Sequence, residues 1–398
     1  MLAPVGCQPQ IPMFRQWTER IVARMKGLIL SGGSGKRLRP LTHTRAKQLV
    51  PIANKPILFY GIEQMAAAGI KEVGIIIAPT TGEEVTESVG DGSDFGVRVT
   101  PILQQEPAGL AHCVYLARDF LGEDDFVMYL GDNMLESGLV GFVERFAAAK
   151  QHHGVDTTAE PVAQILLAPV ENPTAFGVAE IDADGRICRL VEKPDKPPSN
   201  LALVGVYMFD RTIHEAVQQI KPSPRGELEI TDAICWLITQ GYRVDHCEID
   251  GWWIDTGKKD PLLECNRLVL NTFKKQLSGY IDDVSMVSGQ VVLNEGAKII
   301  DSEVRGPAVI GDGTTIRNSK IGPYVSIADG CSVSNSEIDN SVVLRGGSIS
   351  DLARLTDSLV GRDAEISVVG KNRQDSQKQP AMAVRLMVGD HCRVEIES

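Results

Sequence analysis

Residues 293–344 read LNEGAKIIDSEVRGPAVIGDGTTIRNSKIGPYVSIADGCSVSNSEIDNSVVL, and their spacing decides the architecture of the C-terminal part of the chain. Apolar residues recur at Leu293, Ile299, Val304, Ile310, Ile316, Ile321, Ile327, Val333, Ile338 and Leu344, in steps of 6, 5, 6, 6, 5, 6, 6, 5 and 6. Leu293, Ile310, Ile327 and Leu344 are therefore 17 residues apart, and Gly296, Gly313 and Gly330 share that period. An antiparallel sandwich would instead alternate with period two between turns about 8–12 residues apart. Three inward aliphatic residues per repeat, with a glycine to turn a corner, describe a three-sided parallel coil. One coil cannot bury its own apolar face, so neighbouring coils must stack. The polar run 372–380 (NRQDSQKQP) interrupts the pattern, and residues 384–396 resume it as a last coil.

Toward the N terminus the period changes. Leu262, Leu263, Asn266, Val269, Leu270 and Phe273 keep a helical spacing, which predicts a linking helix over 260–277 stopped by Gly279. Before it, short apolar runs alternate with helix-like stretches. Residues 27–31 (GLILS), 73–78 (VGIIIA) and 125–130 (DFVMYL) read as buried strands, and 57–68 as an amphipathic helix ended by Gly69. Such alternation implies an α/β domain, a mixed, mostly parallel sheet with helices on both faces. Ligands of such sheets bind at the carboxyl ends of the strands, where GLILSGG and MYLGDN both place their polar residues. The expected division is 1–24 as a disordered extension, 25–259 as the α/β domain, 260–284 as linking helix and linker, and 285–398 as the β-helix. A transit peptide fits residues 1–24 less well, because Glu19 and the shortage of serine speak against it.

Composition narrows the function. The 398 residues carry a formal net charge of -12, which argues against a nucleic-acid partner, since phosphate backbones need a basic footprint. No run of 18 apolar residues is present, so no membrane-spanning helix is expected. The 8 cysteines form no CxxC pair and no disulfide framework, and are read as reduced thiols of a cytoplasmic protein.

Gly32-Gly33-Ser34-Gly35-Lys36-Arg37-Leu38 follows the first strand. It is not a P-loop, because Arg37 stands where Ser or Thr is needed and Leu30 where the first glycine is needed. It is not a dinucleotide fingerprint, because Leu38 replaces the third glycine. Glycines still let backbone N–H groups approach phosphates closely, and Arg37 adds a planar cationic fork.

GGSGKRLRPLT, followed by RAKQLVPIANKP, resembles the opening of the sugar-nucleotide pyrophosphorylases. Further matching segments are GDGSDFG (90–96), QQEPAGLAH (104–112), LGDN (130–133), FGVAEID (176–182), VEKPDKPPSN (191–200), GELEITDAI (226–234) and GWWIDTG (251–257). The similarity runs from Met25 nearly to the end and looks closest to the long members that use thymidine nucleotides and end in a left-handed β-helix. It implies a Rossmann-like domain that joins dTTP (or UTP) to glucose 1-phosphate with Mg²⁺.

The resemblance also implies site residues. Asp132 and Asp255 match the two carboxylate ligands of the Mg²⁺ ion; read alone, Asp-Asn and Asp-Thr-Gly are ordinary turn sequences. Lys193 matches the lysine that holds the sugar phosphate, and Arg37 and Lys47 the cations that neutralise nucleotide phosphates and leaving pyrophosphate. Gly177 and Glu192 match sugar contacts. Gln104 and Gly109 match the pair that reads the base, where a side-chain amide can both accept from and donate to thymine or uracil. Gln48 and the glycines Gly32, Gly33 and Gly35 match further nucleotide contacts. Two departures are visible: Lys36 stands where many relatives have Thr, and 103–108 is shorter than in the short members.

Three functions compete on these residues. Left-handed β-helices often carry acetyl-CoA-dependent sites that use a histidine, but the coils of 293–344 contain none and the one histidine after residue 250 is His391. The β-helix is therefore read as structural, for assembly as a homo-oligomer or for regulation. A sensor without catalysis is disfavoured because Arg37, Asp132, Lys193 and Asp255 are present together.

Overall fold

The computed structural model describes residues 22, 24–33, 35–150, 160–369 and 383–397. The readings of 1–24 as an extension and of 372–380 as a loop therefore fall almost wholly outside the described residues. By its contacts the chain divides into two compact units, Met1–Gly33 with Phe59–Trp253, and Ser34–Leu58 with Ile254–Ser398.

The first unit is built on a nine-stranded mixed sheet. Phe126–Leu130, Lys26–Leu30, Glu72–Ile77 and Arg98–Leu103 lie side by side in that order, all parallel. Leu28, Ile29, Val73, Ile76, Phe126 and Met128 are all essentially without solvent contact, as expected where both faces of a parallel sheet are covered. Leu201–Phe209 then runs antiparallel beside Phe126–Leu130 and also pairs with Pro161–Pro169. The hairpin Gly177–Ile181 with Ile187–Glu192 extends one edge. The helices Leu110–Leu116, Ile213–Gln219 and Ile230–Thr239 bury their apolar sides in the same core as the sheet. The helix expected at 57–68 spans Ile57–Ala67, and Gly69, at φ 88°, takes the chain out of it.

The second unit contains the left-handed β-helix, with parallel sheets of 7, 7 and 4 strands on its three sides. Leu293 pairs with Ile310 and Ile310 with Ile327, at the expected 17-residue register. The third step differs: Ile327 pairs with Val343, not Leu344. The corner at Asp339-Asn340 is one residue shorter than Gly322-Pro323-Tyr324, so the next two sides move forward by one position. Leu344 stays buried, at 2 % exposure, because it lies at the next corner rather than outside. Gly296, Gly313 and Gly330 turn their corners at φ 68°, 65° and 65°, a region that suits glycine. A second corner is turned by Asp301, Asn318, Asn335 and Asp351, also at positive φ, and their side chains form a ladder from Asn318 Nδ2 to Asn335 Oδ1 (2.7 Å) and from Asn335 Nδ2 to Asp351 Oδ1 (2.9 Å). Met387–Val388 and Arg393–Glu397 add the last coil, ending one residue past the stretch where the apolar pattern resumes.

The linking helix is shorter than its spacing suggests, Lys259–Leu270. Gln276–Leu277 already pairs with Val292 and Leu293, and Tyr280–Ile281 with Lys298 and Ile299, so the β-helix begins before residue 285. Gly279 is not a helix stop but a coil corner: a Cβ there would lie 2.5 Å from Ala297 O. Among the described residues no helix is long and apolar enough to cross a membrane, and the seven cysteines are free.

Candidate active site

In the first unit, three strands deliver polar residues at their carboxyl ends. Past Lys26–Leu30, Ser31 N donates to Ile76 O (2.9 Å) and carries the chain into Gly32 and the exposed Gly33. A Cβ on Gly32 would lie 3.1 Å from Gln104 Oε1, so glycine allows this close approach. Gln104 follows Arg98–Leu103 and is buried, with its N–H donated to Ile77 O (2.9 Å). Its Nε2 reaches His112 Nδ1 and Cys113 Sγ, both at 3.2 Å. These partners fix the amide so that its oxygen faces Gly32. Burial pushes the Cys113 thiol up to about 12, so it stays protonated beside that amide. Gly109 sits at φ 103°, where a Cβ would collide with Leu228 O. Its position is therefore a packing requirement as well as a candidate base contact.

Asp132 follows Phe126–Leu130, and Gly131 N donates to Leu30 O (3.0 Å) just before it. The Asp132 side chain is buried, at 9 % exposure, and Oδ1 accepts from Asn133 Nδ2 (3.2 Å). Asn133 is itself held twice, by Trp253 Nε1 on its Oδ1 and by the Tyr129 hydroxyl on its carbonyl, each at 2.5 Å. Asn133, Tyr129 and Trp253 thus orient the carboxylate. Among the described residues no group of three or more His, Cys, Asp or Glu side chains gathers as a metal cluster.

The candidate sugar-phosphate residues also come together. Glu192 ends the strand Ile187–Glu192, and its Oε1 lies 2.9 Å from Lys193 Nζ and 3.3 Å from Arg225 Nη1. Its Oε2 lies 3.2 Å from where a Cβ on Gly177 would be. Lys193 has φ 42°, a strained value for a side-chain-bearing residue, and its N–H donates to Phe176 O (2.9 Å). Phe176 in turn meets Trp253 edge-on, with ring centroids 5.2 Å apart. Arg225 also pairs with Glu227 (2.9 Å) and Glu229 (3.4 Å). Burial pushes the Glu229 carboxyl up, against the hydrogen bond from Ser223. Arg225 was not foreseen from the sequence. The one trace of it is a lone cation ahead of the acidic GELE run.

The second unit carries the remaining candidates. Gly35 has φ 60°, and a Cβ there would lie 3.1 Å from Thr42 Cβ and 3.2 Å from Lys47 Cβ. Thr42 Oγ1 closes the loop by donating to Gly35 O (2.7 Å). Arg37 lies in the 3₁₀ turn Lys36–Leu38 and is exposed. Lys47 opens the 3₁₀ turn Lys47–Leu49 and is half-buried. Gln48 is buried, at 1 % exposure, and its Oε1 has no hydrogen-bond partner among the described residues. Asp255 Oδ1 accepts from Gly257 N (2.9 Å), so the carboxylate does make the turn its sequence suggests.

A family model described as nucleotidyl transferase matches residues 26–272. A glucose-1-phosphate thymidylyltransferase of Streptomyces griseus is 52 % identical over 280 residues, 70 % of this chain and 76 % of that protein. A low-salt glycan biosynthesis nucleotidyltransferase of Haloferax volcanii is 49 % identical over 273 residues, 69 % of this chain and 74 % of that protein. A solved Bacillus anthracis structure described as a glucose-1-phosphate thymidylyltransferase with a sucrose is 35 % identical, with a TM-score of 0.56 over 61 % of this chain and 94 % of its own. With its glycine loop, its acidic strand ends and this match over more than half its length, the chain belongs to the nucleotidyl transferase family.

Proposed function

We propose that this protein is a sugar-nucleotide pyrophosphorylase that makes dTDP-glucose and pyrophosphate from dTTP and glucose 1-phosphate. The observation that carries this reading is the placement of Gly32, Gln104 and Asp132 at the carboxyl ends of strands in one parallel set, where α/β sheets bind ligands. The high identity to the relatives above supports the choice of thymidine nucleotide and glucose.

In the reaction an oxygen of the sugar phosphate attacks the α-phosphorus of the nucleotide. A new P–O bond forms in line as the bond to the β-phosphate oxygen breaks, and pyrophosphate leaves. A phosphate monoester has its second pKa near ~6, so the nucleophile is already an anion and needs no general base. The protein has to hold two anions together and neutralise growing charge. Lys193 is the group proposed to hold the attacking phosphate, with Glu192 and Gly177 on the sugar. Arg37 and Lys47 are proposed on the nucleotide phosphates and departing pyrophosphate, with the N–H groups of Gly32, Gly33 and Gly35. Gln104, Gly109 and Gln48 are proposed on the nucleoside.

Nucleotidyltransferases of this kind generally use Mg²⁺, and Asp132 and Asp255 are its proposed ligands. Carboxylate oxygens in small number suit an ion that completes its shell with phosphates and water. When bound, the ion would neutralise phosphate charge. The free cysteines support a cytoplasmic location. The exposed Tyr280, Val284 and Met286 on the first coils support self-association; sedimentation of the full chain tests it, and a monomer at micromolar concentration would remove it.

The test is a matrix of nucleotides and sugar 1-phosphates scored by pyrophosphate release, with acetyl-CoA consumption measured in parallel. Turnover highest with dTTP and glucose 1-phosphate is expected. Preference for UTP or another sugar phosphate would move the substrate assignment, acetyl transfer would add an activity, and ligand binding without turnover would make the protein a sensor.

A further inference from the structure

We propose that the last coil of the β-helix positions the segment carrying Arg37, Lys47 and Gln48, and that Asp390 is the positioning residue. The functional half of this inference rests on the reading of those three residues as nucleotide contacts.

The segment Ser34–Leu58 belongs to the same compact unit as the β-helix, and it is fastened on both sides of Lys47 and Gln48. On one side, Ala53 N donates to Asn266 Oδ1 (2.9 Å) and Asn54 Nδ2 donates to Ile327 O (2.7 Å). On the other side stands Asp390, whose side chain has no solvent exposure. Thr44 Oγ1 donates to its Oδ2 (2.9 Å), and Arg45 Nε lies 3.8 Å from the same oxygen. The neighbouring Gly389 lies so close to Pro40 that a Cβ would sit 3.2 Å from Pro40 Cβ. Thr44 and Arg45 precede Lys47 by only three and two residues.

The two oxygens of Asp390 do different work. Oδ1 accepts from Arg362 N (2.8 Å) on the preceding coil. Asp329 Oδ1 does the same for Asp312 N (2.9 Å), so this bond is an ordinary corner of the β-helix. Oδ2 is the one turned to Thr44 and Arg45, with Arg362 Nε also at 2.9 Å. The carboxyl is held below its ordinary value: burial pushes it up, but the Arg362 N–H, the Arg45 charge, the Arg362 side chain and Thr44 together outweigh burial. The second oxygen is thus a permanent anionic anchor for the segment, and a neutral amide could replace only the first oxygen.

Asp390→Asn separates the two roles, because it keeps the Oδ1 acceptor and removes the charge on Oδ2. It is compared with Asp329→Asn, which alters an exposed corner of the same kind, in the full-length protein. Two readouts are taken: hydrogen exchange of peptides spanning residues 36–50 without ligand, and KM for dTTP and for glucose 1-phosphate separately. Exchange of that segment about tenfold faster, with the dTTP KM raised about tenfold and the sugar KM unchanged, is expected for Asp390→Asn alone. Unchanged exchange overturns the anchor whatever the kinetics show. Faster exchange with unchanged dTTP kinetics overturns its functional half. Equal effects from Asp329→Asn would reduce Asp390 to a β-helix corner and also overturn the proposal. If the parent protein turns over no nucleotide, the pyrophosphorylase reading fails, and the exchange measurement still decides whether Asp390 anchors the segment.

Discussion

Asn266 Oδ1 accepts the backbone N–H of Ala53 at 2.9 Å, from a side chain with no solvent exposure and 213 positions further along the chain. The same oxygen accepts from Ser326 Oγ (2.8 Å), so one carbonyl ties the linking helix, the early segment and the β-helix together. Asn266→Ala would leave the Ala53 N–H and the Ser326 hydroxyl buried without an acceptor. The expected cost is about 2–4 kcal/mol of folding free energy. Urea unfolding of both proteins measures it, and a change below about 0.5 kcal/mol would show that water replaces the lost oxygen.

Asp132→Ala and Asp255→Ala are each expected to abolish pyrophosphate release at millimolar Mg²⁺. Asp132→Ala should also lower stability by about 1 kcal/mol, because it leaves the buried Asn133 Nδ2 without its acceptor. Asp255→Ala should lower stability by about 1 kcal/mol as well, because it also removes the acceptor of the Gly257 N–H. Near-normal turnover by either variant removes that carboxylate from the metal assignment.

Lys193→Ala is expected to damage use of the sugar phosphate while nucleotide binding holds. Loss of one charge-assisted contact that also aligns the nucleophile should cost on the order of 3 kcal/mol in kcat/KM. Arg225 still faces Glu192 at 3.3 Å, so the carboxylate is not stranded by the change. Calorimetric titration with dTTP provides the check: a collapse of nucleotide affinity would transfer Lys193 to the other substrate.

His214 gives the protein a pH-dependent stability. The residue is 7 % exposed, stacks on Phe126 with centroids 6.4 Å apart, and meets at best the Gly122 backbone, without the geometry of a full hydrogen bond at either ring nitrogen. Burial and then the Arg118 charge hold its pKa below the ordinary 6.5, against the weaker pulls of the Gly122 backbone, Glu123 and Asp210. The folded pKa is the lower of the two, so the unfolded chain takes the proton first as pH falls. This contribution is complete above the unfolded value and is lost as pH drops below it toward the folded value. The parent should therefore lose more stability than His214→Phe between about pH 7.5 and pH 5.5. Equal losses for both proteins would mean that the fold does not lower the pKa of His214.

The sequence alone determined the large features because they repeat or run unbroken. A 17-residue period from Leu293 to Ile327 can be satisfied only by coils that stack, and the buried runs around Ile29, Ile75 and Val127 fit only a sheet covered on both faces. The runs GLILSGG and MYLGDN likewise put Gly32 and Asp132 at strand ends, whereas the strand Arg98–Leu103 that delivers Gln104 shows only in the structure. What the tertiary structure decided lies where no local period acts. A corner one residue shorter passes the inward position from Leu344 to Val343, and apolar residues on both sides of that step made it invisible. The helix stops at Leu270 because Leu277 pairs with Leu293, a partner that helical spacing cannot report. Arg225 reaches Glu192 through the folding of a loop, and Asp390 reaches Thr44 across 346 positions. Pattern records which face of an element is buried; the partner that buries a single carboxylate is set only when distant parts of the chain pack together.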